Sequence, residues 1–170
     1  TQLVEFSKSI ISNILFISNF FFWSVGTEYG AESNTLKPLL HTWSLSVEAQ
    51  FYFVISIFSL FFLKFSPKKI IIIGLILIII NVIFSNEVNK IYSKFNFFFT
   101  ASRAWEFMFG SILAIYESRF KLNFFLKKIY IEIITLFCLL TIILSYIYLE
   151  HELEHPSFKT LIVIIPTLIL

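Results

Sequence analysis

The sequence predicts an all-α, polytopic integral membrane protein with about six transmembrane helices, and three observations carry that expectation. The 170 residues are 58% hydrophobic and only 14% charged. Their mean hydropathy is +0.86. The apolar residues also gather in runs close to the roughly 20 needed to cross a hydrocarbon core as a helix, the form in which a segment in lipid satisfies its own backbone. A net charge of +2 offers neither a basic nucleic-acid surface nor an acidic tail.

Six runs follow in order, at residues 3–23, 42–63, 69–84, 97–116, 129–149 and from 158 onward. The first is interrupted only by small polar residues and by Glu5 and Lys8, near its start. The second begins after "KPLLH". The third, short one follows Pro67 in "KFSPKK", where proline breaks the helix. The fourth contains Arg103 and Glu106. The fifth holds Cys138, the single cysteine, so no disulfide framework and no Cys/His metal spacing is present, and packing is the role expected of it. The sixth is "LIVIIPTLIL". The start "TQLVEFSKS" has neither an initiator Met nor a signal-peptide pattern, and the end falls inside an apolar run. The chain is therefore expected to be a fragment of a longer protein, part of one transmembrane domain truncated at both ends.

Lys and Arg excess marks cytoplasmic loops. Lys64, Lys68 and Lys69 cluster in one connection, and Arg119, Lys121, Lys127 and Lys128 in another two spans later. The alternation places residues 64–68 and 117–128 inside, and 24–41, 85–96 and 150–157 outside. Trp23, Tyr29 and Trp43 then fit an aromatic belt on the outer side.

Ionisable groups within spans cost on the order of 2.5–3.5 kcal/mol each at a helix centre, which makes them candidates for function. Two places hold them: "LLHTWSLSVEAQFYF" and "TASRAWEFMFG". Glu48 and Arg103 each lie six residues from the outer start of a span, ~9 Å deep at 1.5 Å per residue, and are expected to form a polar cluster with Glu106. Arg103 and Glu106 share a face at i, i+3. His41, Leu45, Glu48 and Tyr52 form one helical stripe, from which Gln50 projects away. Thr42 or Ser44 is the expected helix cap. The plainer reading is a buried ion pair that sets helix register.

The run "LKPLLHTWSLSVEAQFYF" resembles, nearly letter for letter, the signature of the membrane-bound acyltransferase family 3, which reads close to P-L-L-H-T-W-S-L-S-V-E-E-Q-F-Y. "ASRAWEFMFGSILA" is similar to that family's T-R-A-W-E-L-x-x-G segment, in the form typical of O-antigen acetylases. Ala49 stands where the family usually has a second Glu, and Ser56 where a Pro commonly follows. The resemblance implies transfer of an acyl group, often acetyl, from cytoplasmic acyl-CoA to a hydroxyl of an envelope or surface glycan such as lipopolysaccharide O-antigen. It implies a multi-pass protein of the inner, cytoplasmic membrane, with no bound cofactor and no metal. It also implies a catalytic His on an earlier helix, absent from this sequence, so that these 170 residues alone should be inactive. Under it, the catalytic candidates are His41, Glu48, Arg103 and Glu106. The substrate-binding candidates are Trp43, Ser44, Gln50, Tyr52 and Trp105. The alternative is a transporter or glycan-export component that uses the same charges as a substrate pathway.

Overall fold

The computed structural model describes residues 2–26, 37–62, 64–120, 128–149 and 155–170. Every regular element among them is helical: α1 (Gln2–Ile14), α2 (Ser18–Ser24), α3 (Trp43–Phe62), α4 (Pro67–Ile91), α5 (Ser93–Phe98), α6 (Thr100–Arg119), α7 (Lys128–Leu149) and α8 (Leu161–Ile169). Single 3-10 turns, Leu40–Thr42 and Phe158–Thr160, lead into α3 and α8. Three stretches, Leu40–Phe62, Pro67–Ile91 and Ile129–Ile147, are long and apolar enough to cross a membrane. The chain is an all-α membrane protein.

Three expected spans differ in the structure, the fourth because extended Phe99 separates α5 from α6, which runs on to Arg119. The third does not stop at Phe84: helix α4 continues through "SNEVNKI" to Ile91 and buries Ser85 and Asn89 on its inner side. The first is two helices, because α1 closes on itself. The Ile17 N–H donates to the Ser12 carbonyl at 2.8 Å and the Phe16 N–H to that of Asn13 at 3.0 Å, while Phe16 takes the left-handed conformation with φ 55°. This pair of backward bonds is the Schellman termination, here without the usual glycine. The Lys37 ammonium lies 3.5 Å from the Glu5 carboxylate, so α1 begins at the level of the segment preceding α3. It descends to the bend at Phe16 and α2 returns, making a helical hairpin in place of a straight crossing.

Helices α4 and α6 run antiparallel at close range. The Asn81 amide donates to the Ala101 carbonyl at 2.8 Å and its oxygen accepts from the Trp105 N–H at 3.3 Å, straddling one turn of α6. Farther along, a Cβ on Gly74 would fall 2.7 Å from Ile112 Cδ1; the missing side chain is what permits the approach. Ile78, Val82 and Trp105 form the core there, with Met108, Leu161 and Ile164 packed against it. A second core joins Phe22, Leu40, Trp43, Val47 and Phe98 near the start of α3. The remaining faces expose large apolar side chains such as Phe53, Phe61, Ile79 and Phe137, as a lipid-facing surface does.

Candidate functional site

The starts of α3 and α6 lie side by side and bring the two charged motifs together. Arg103 Nε and Nη2 donate to Glu106 Oε2 at 3.1 and 3.0 Å. The guanidinium carbon lies 5.2 Å from the ring centre of Trp43 and 5.8 Å from that of Phe97. A cation over two rings gains about 0.5–2 kcal/mol per contact, more where water is thin. Three neighbouring polar atoms on α6, Ser102 Oγ, Trp105 Nε1 and Glu106 Oε1, are buried without a hydrogen-bond partner. Such atoms cost free energy unless a water or ligand meets them. Ser102 stands out because other helical hydroxyls, Ser111 and Thr141 among them, bond back to a carbonyl four residues earlier.

Below this cluster lies a network with Gln50 at its centre. Gln50 Nε2 donates to the Phe16 carbonyl at 2.7 Å and to Asn19 Oδ1 at 2.9 Å, and Gln50 Oε1 accepts from the Thr100 hydroxyl. Asn19 Nδ2 in turn donates to the Phe98 carbonyl at 3.0 Å. Ser18 Oγ donates to the Thr42 carbonyl at 3.1 Å and lies 2.7 Å from Ser46 Oγ. The carbonyl freed at the α1–α2 bend, which lipid would leave unpaired, is thereby satisfied from α3.

The structure sorts the expected residues accordingly. Arg103 and Glu106 pair as their spacing implies, but Arg103 makes no ion pair with Glu48. Glu48 is half-buried on another flank of α3, since α3 turns Trp43, Ser46, Val47 and Phe51 inward and leaves Leu45 and Tyr52 53% and 57% exposed. His41 is exposed in the 3-10 turn. Its carbonyl accepts from Ser44 Oγ at 3.2 Å, and Thr42 Oγ1 donates to the Leu39 carbonyl. Neither hydroxyl caps α3, because the 3-10 turn winds straight into the helix. Trp43 is buried beneath Arg103, so it leaves the aromatic belt, while Trp23 remains 43% exposed. Tyr29 lies outside the described residues. Trp105 has 0% exposure and packs into the α4–α6 core instead of walling an open pocket. Cys138 is buried in α7, as expected of a packing residue. Among the described residues no group of acidic, His or Cys side chains could hold a metal ion.

His155, which motif reading passed over, lies within reach of the Arg103 charge. Its loop is fixed through the Pro156 carbonyl, which accepts from Ser85 Oγ at 3.2 Å and Asn96 Nδ2 at 3.0 Å. Its Nδ1 lies 3.0 Å from Thr160 Oγ1. Burial, and then the Arg103 charge, hold the imidazole below its ordinary pKa, which favours the neutral ring at pH 7. The signal for the anchors was present: Asn81 and Asn96 are lone amides within apolar runs. Their partners were not legible, because the contacts span 20 to 60 residues.

Comparison with known proteins yields one family. Residues 9–170 match the family described as acyltransferase domain. The chain is 28% identical over 129 residues to the O-acetyltransferase OatA of Staphylococcus aureus, covering 71% of this chain and 20% of that protein. It is 33% identical over 118 residues to an uncharacterized protein of Haemophilus influenzae, covering 65% of this chain and 48% of that one. The chain thus spans about a fifth of the staphylococcal relative and about half of the other. No solved structure matches it.

Proposed function

The chain belongs to the family of the acyltransferase domain, family 3, and from that premise we propose that it is part of a membrane enzyme moving an acyl group, acetyl in the first instance, from acyl-CoA to a glycan hydroxyl. The acceptor is a glycan of the cell envelope, with O-antigen as one member of that class, and the membrane is the cytoplasmic one. In the reaction the acceptor oxygen bonds the acyl carbon, the thioester C–S bond breaks, and the hydroxyl proton passes to a base. Negative charge develops on the carbonyl oxygen, so a fixed cation or N–H donor near it is worth most in the transition state.

The single observation that supports this reading is the Arg103 guanidinium lying on Trp43 and held by Glu106, because it joins the His-Thr-Trp and Arg-Ala-Trp-Glu motifs in one place. Glu106 engages Nε and Nη2 through one oxygen. Nη1 keeps its N–H groups for the developing oxyanion. His41, in the turn before α3, and Glu48, half-buried on α3, orient the acceptor. Gln50, which the motif suggested for substrate binding, supports the scaffold instead, since both sides of its amide are engaged. The export alternative loses weight for the same reason: the carbonyl at the helix break, the kind of group that coordinates a transported ion, already has Gln50 as its donor.

The test replaces Arg103 by Ala and Glu48 by Gln in the full-length protein and measures ester-linked acetate on the surface glycan at matched protein levels. Loss of one oxyanion donor lowers turnover by about 100- to 1000-fold, so Arg103→Ala is expected to abolish detectable acetylation. Acetylation unchanged in both variants overturns the assignment.

A further inference from the structure

Resting on the acyl-transfer reading, we propose that His155 is an acceptor-binding residue, its Nε2 hydrogen-bonding the glycan hydroxyl at the mouth of the Arg103 cluster. Its place in the fold is the first argument. His155 sits on the loop before α8, in the region that the charge pattern assigns to the outer side, where a glycan arrives. Asn96 holds the Pro156 carbonyl, and the next residue, Phe97, lies under the Arg103 guanidinium. One short helix, α5, therefore touches both, the loop of His155 through Asn96 and the Arg103 guanidinium through Phe97.

Rigidity is the second argument. A ligand-binding side chain gains from being held before the ligand comes. Here one carbonyl of the loop accepts two side-chain bonds, and Thr160 Oγ1 both meets His155 Nδ1 and accepts from the Ser157 N–H at 3.2 Å. With Nδ1 engaged, the ring orientation is set and Nε2 is the free nitrogen. Nε2 has no hydrogen-bond partner among the described residues, and it is not among the atoms sealed from solvent. It is open in a half-buried ring. A neutral imidazole donates through one nitrogen and accepts through the other, so Nε2 takes towards a hydroxyl the role that Nδ1 leaves to it at Thr160. Burial, and then the Arg103 charge, favour that neutral state, which suits an uncharged sugar acceptor.

The experiment uses the purified full-length protein in detergent, radiolabelled acetyl-CoA as donor and de-O-acetylated surface polysaccharide of the host as acceptor. His155→Ala and the ring-sized His155→Phe are expected to raise the acceptor KM about three- to tenfold, the weight of one hydrogen bond, with kcat and the donor KM unchanged, the pattern of lost ground-state binding. His155→Gln, which keeps a donor at similar reach, is expected to return the acceptor KM to within about twofold of wild type. If the Ala variant does not accumulate, the Phe and Gln pair gives the same comparison. Label transfer with an unchanged acceptor KM in His155→Phe, or a fall in kcat alone, overturns the role of His155. No transfer by the wild type overturns the acyl-transfer reading, and this inference with it.

Discussion

Gln50 and Phe16 show how one side chain compensates for a backbone conformation far from it in sequence. Removing the Gln50 amide leaves the Phe16 carbonyl, Asn19 and Thr100 without their shared partner. Hydrogen bonds between membrane helices average about 0.6 kcal/mol each, so three of them amount to about 2 kcal/mol. Gln50→Ala is expected to lower the thermal midpoint of the detergent-solubilised protein, and Gln50→Glu to do so further, since an ionised carboxylate faces the Phe16 carbonyl without a proton to donate. Equal midpoints for wild type and Gln50→Ala would show that the network carries no weight. Phe16 makes the opposite prediction. A left-handed residue with a side chain costs about 1–2 kcal/mol that glycine escapes, against roughly 0.5–1 kcal/mol of extra chain entropy. Phe16 is also 55% exposed, so little packing is lost. Phe16→Gly should accumulate at wild-type levels with an unchanged or raised midpoint. At this scale the motif reading singled out Gln50 for substrate binding, whereas in the structure its amide is engaged by partners 31 to 50 positions away, too far along the chain for a motif to show.

The pair of α4 and α6 rests on a glycine and an asparagine. The Cβ of Gly74→Ala would press on the tip of Ile112, a flexible end that can turn aside, and alanine favours the helix by about 1 kcal/mol over glycine; little net change is expected. Gly74→Leu brings bulk that rotation of Ile112 cannot clear, and overpacking of this kind costs about 1–3 kcal/mol. Thermal unfolding followed by circular dichroism should separate the two variants, and a Leu variant as stable as the Ala variant would count against tight α4–α6 contact. Apolar runs and Pro67 were enough to locate α3, α4 and α7 from sequence. The split of the first run was hidden, since "ILFISNFFFW" contains neither glycine nor proline to announce a turn. The Schellman bonds that make it are paid for by tertiary hydrogen bonds.

At the scale of the whole molecule, the charge pattern and the hairpin together predict which positions share a side of the membrane. With Cys138 replaced by Ala, single cysteines at Glu5 and Lys37 should react with an impermeant maleimide from the outer side of intact cells, because the two side chains pair in the structure. A cysteine at Lys68 should react only after the membrane is opened. Labelling of Glu5→Cys from the same side as Lys68→Cys would restore the straight crossing that the hydropathy of residues 3–23 suggests. Asn96 and Pro156, from two segments that the alternation of Lys and Arg loops assigns to one side, meet in the structure.

The sequence by itself determined the solvent, the helical class and the two motifs, because lipid imposes apolar length and closed backbone bonds on each segment separately, and its charges predict the sidedness loop by loop. The pairing of Arg103 with Glu106 was legible too, being a local matter of i, i+3 spacing. Only the tertiary structure decided that Glu48 makes no ion pair with Arg103, that Trp43 lies beneath that arginine, that Gln50 secures a broken helix, and that His155 comes within reach of the Arg103 charge. Each of these depends on how helices rotate about their axes when they pack. That rotation is set by small features distant in sequence, such as Gly74, Asn81 and Asn96, whose partners a pattern read along the chain does not name.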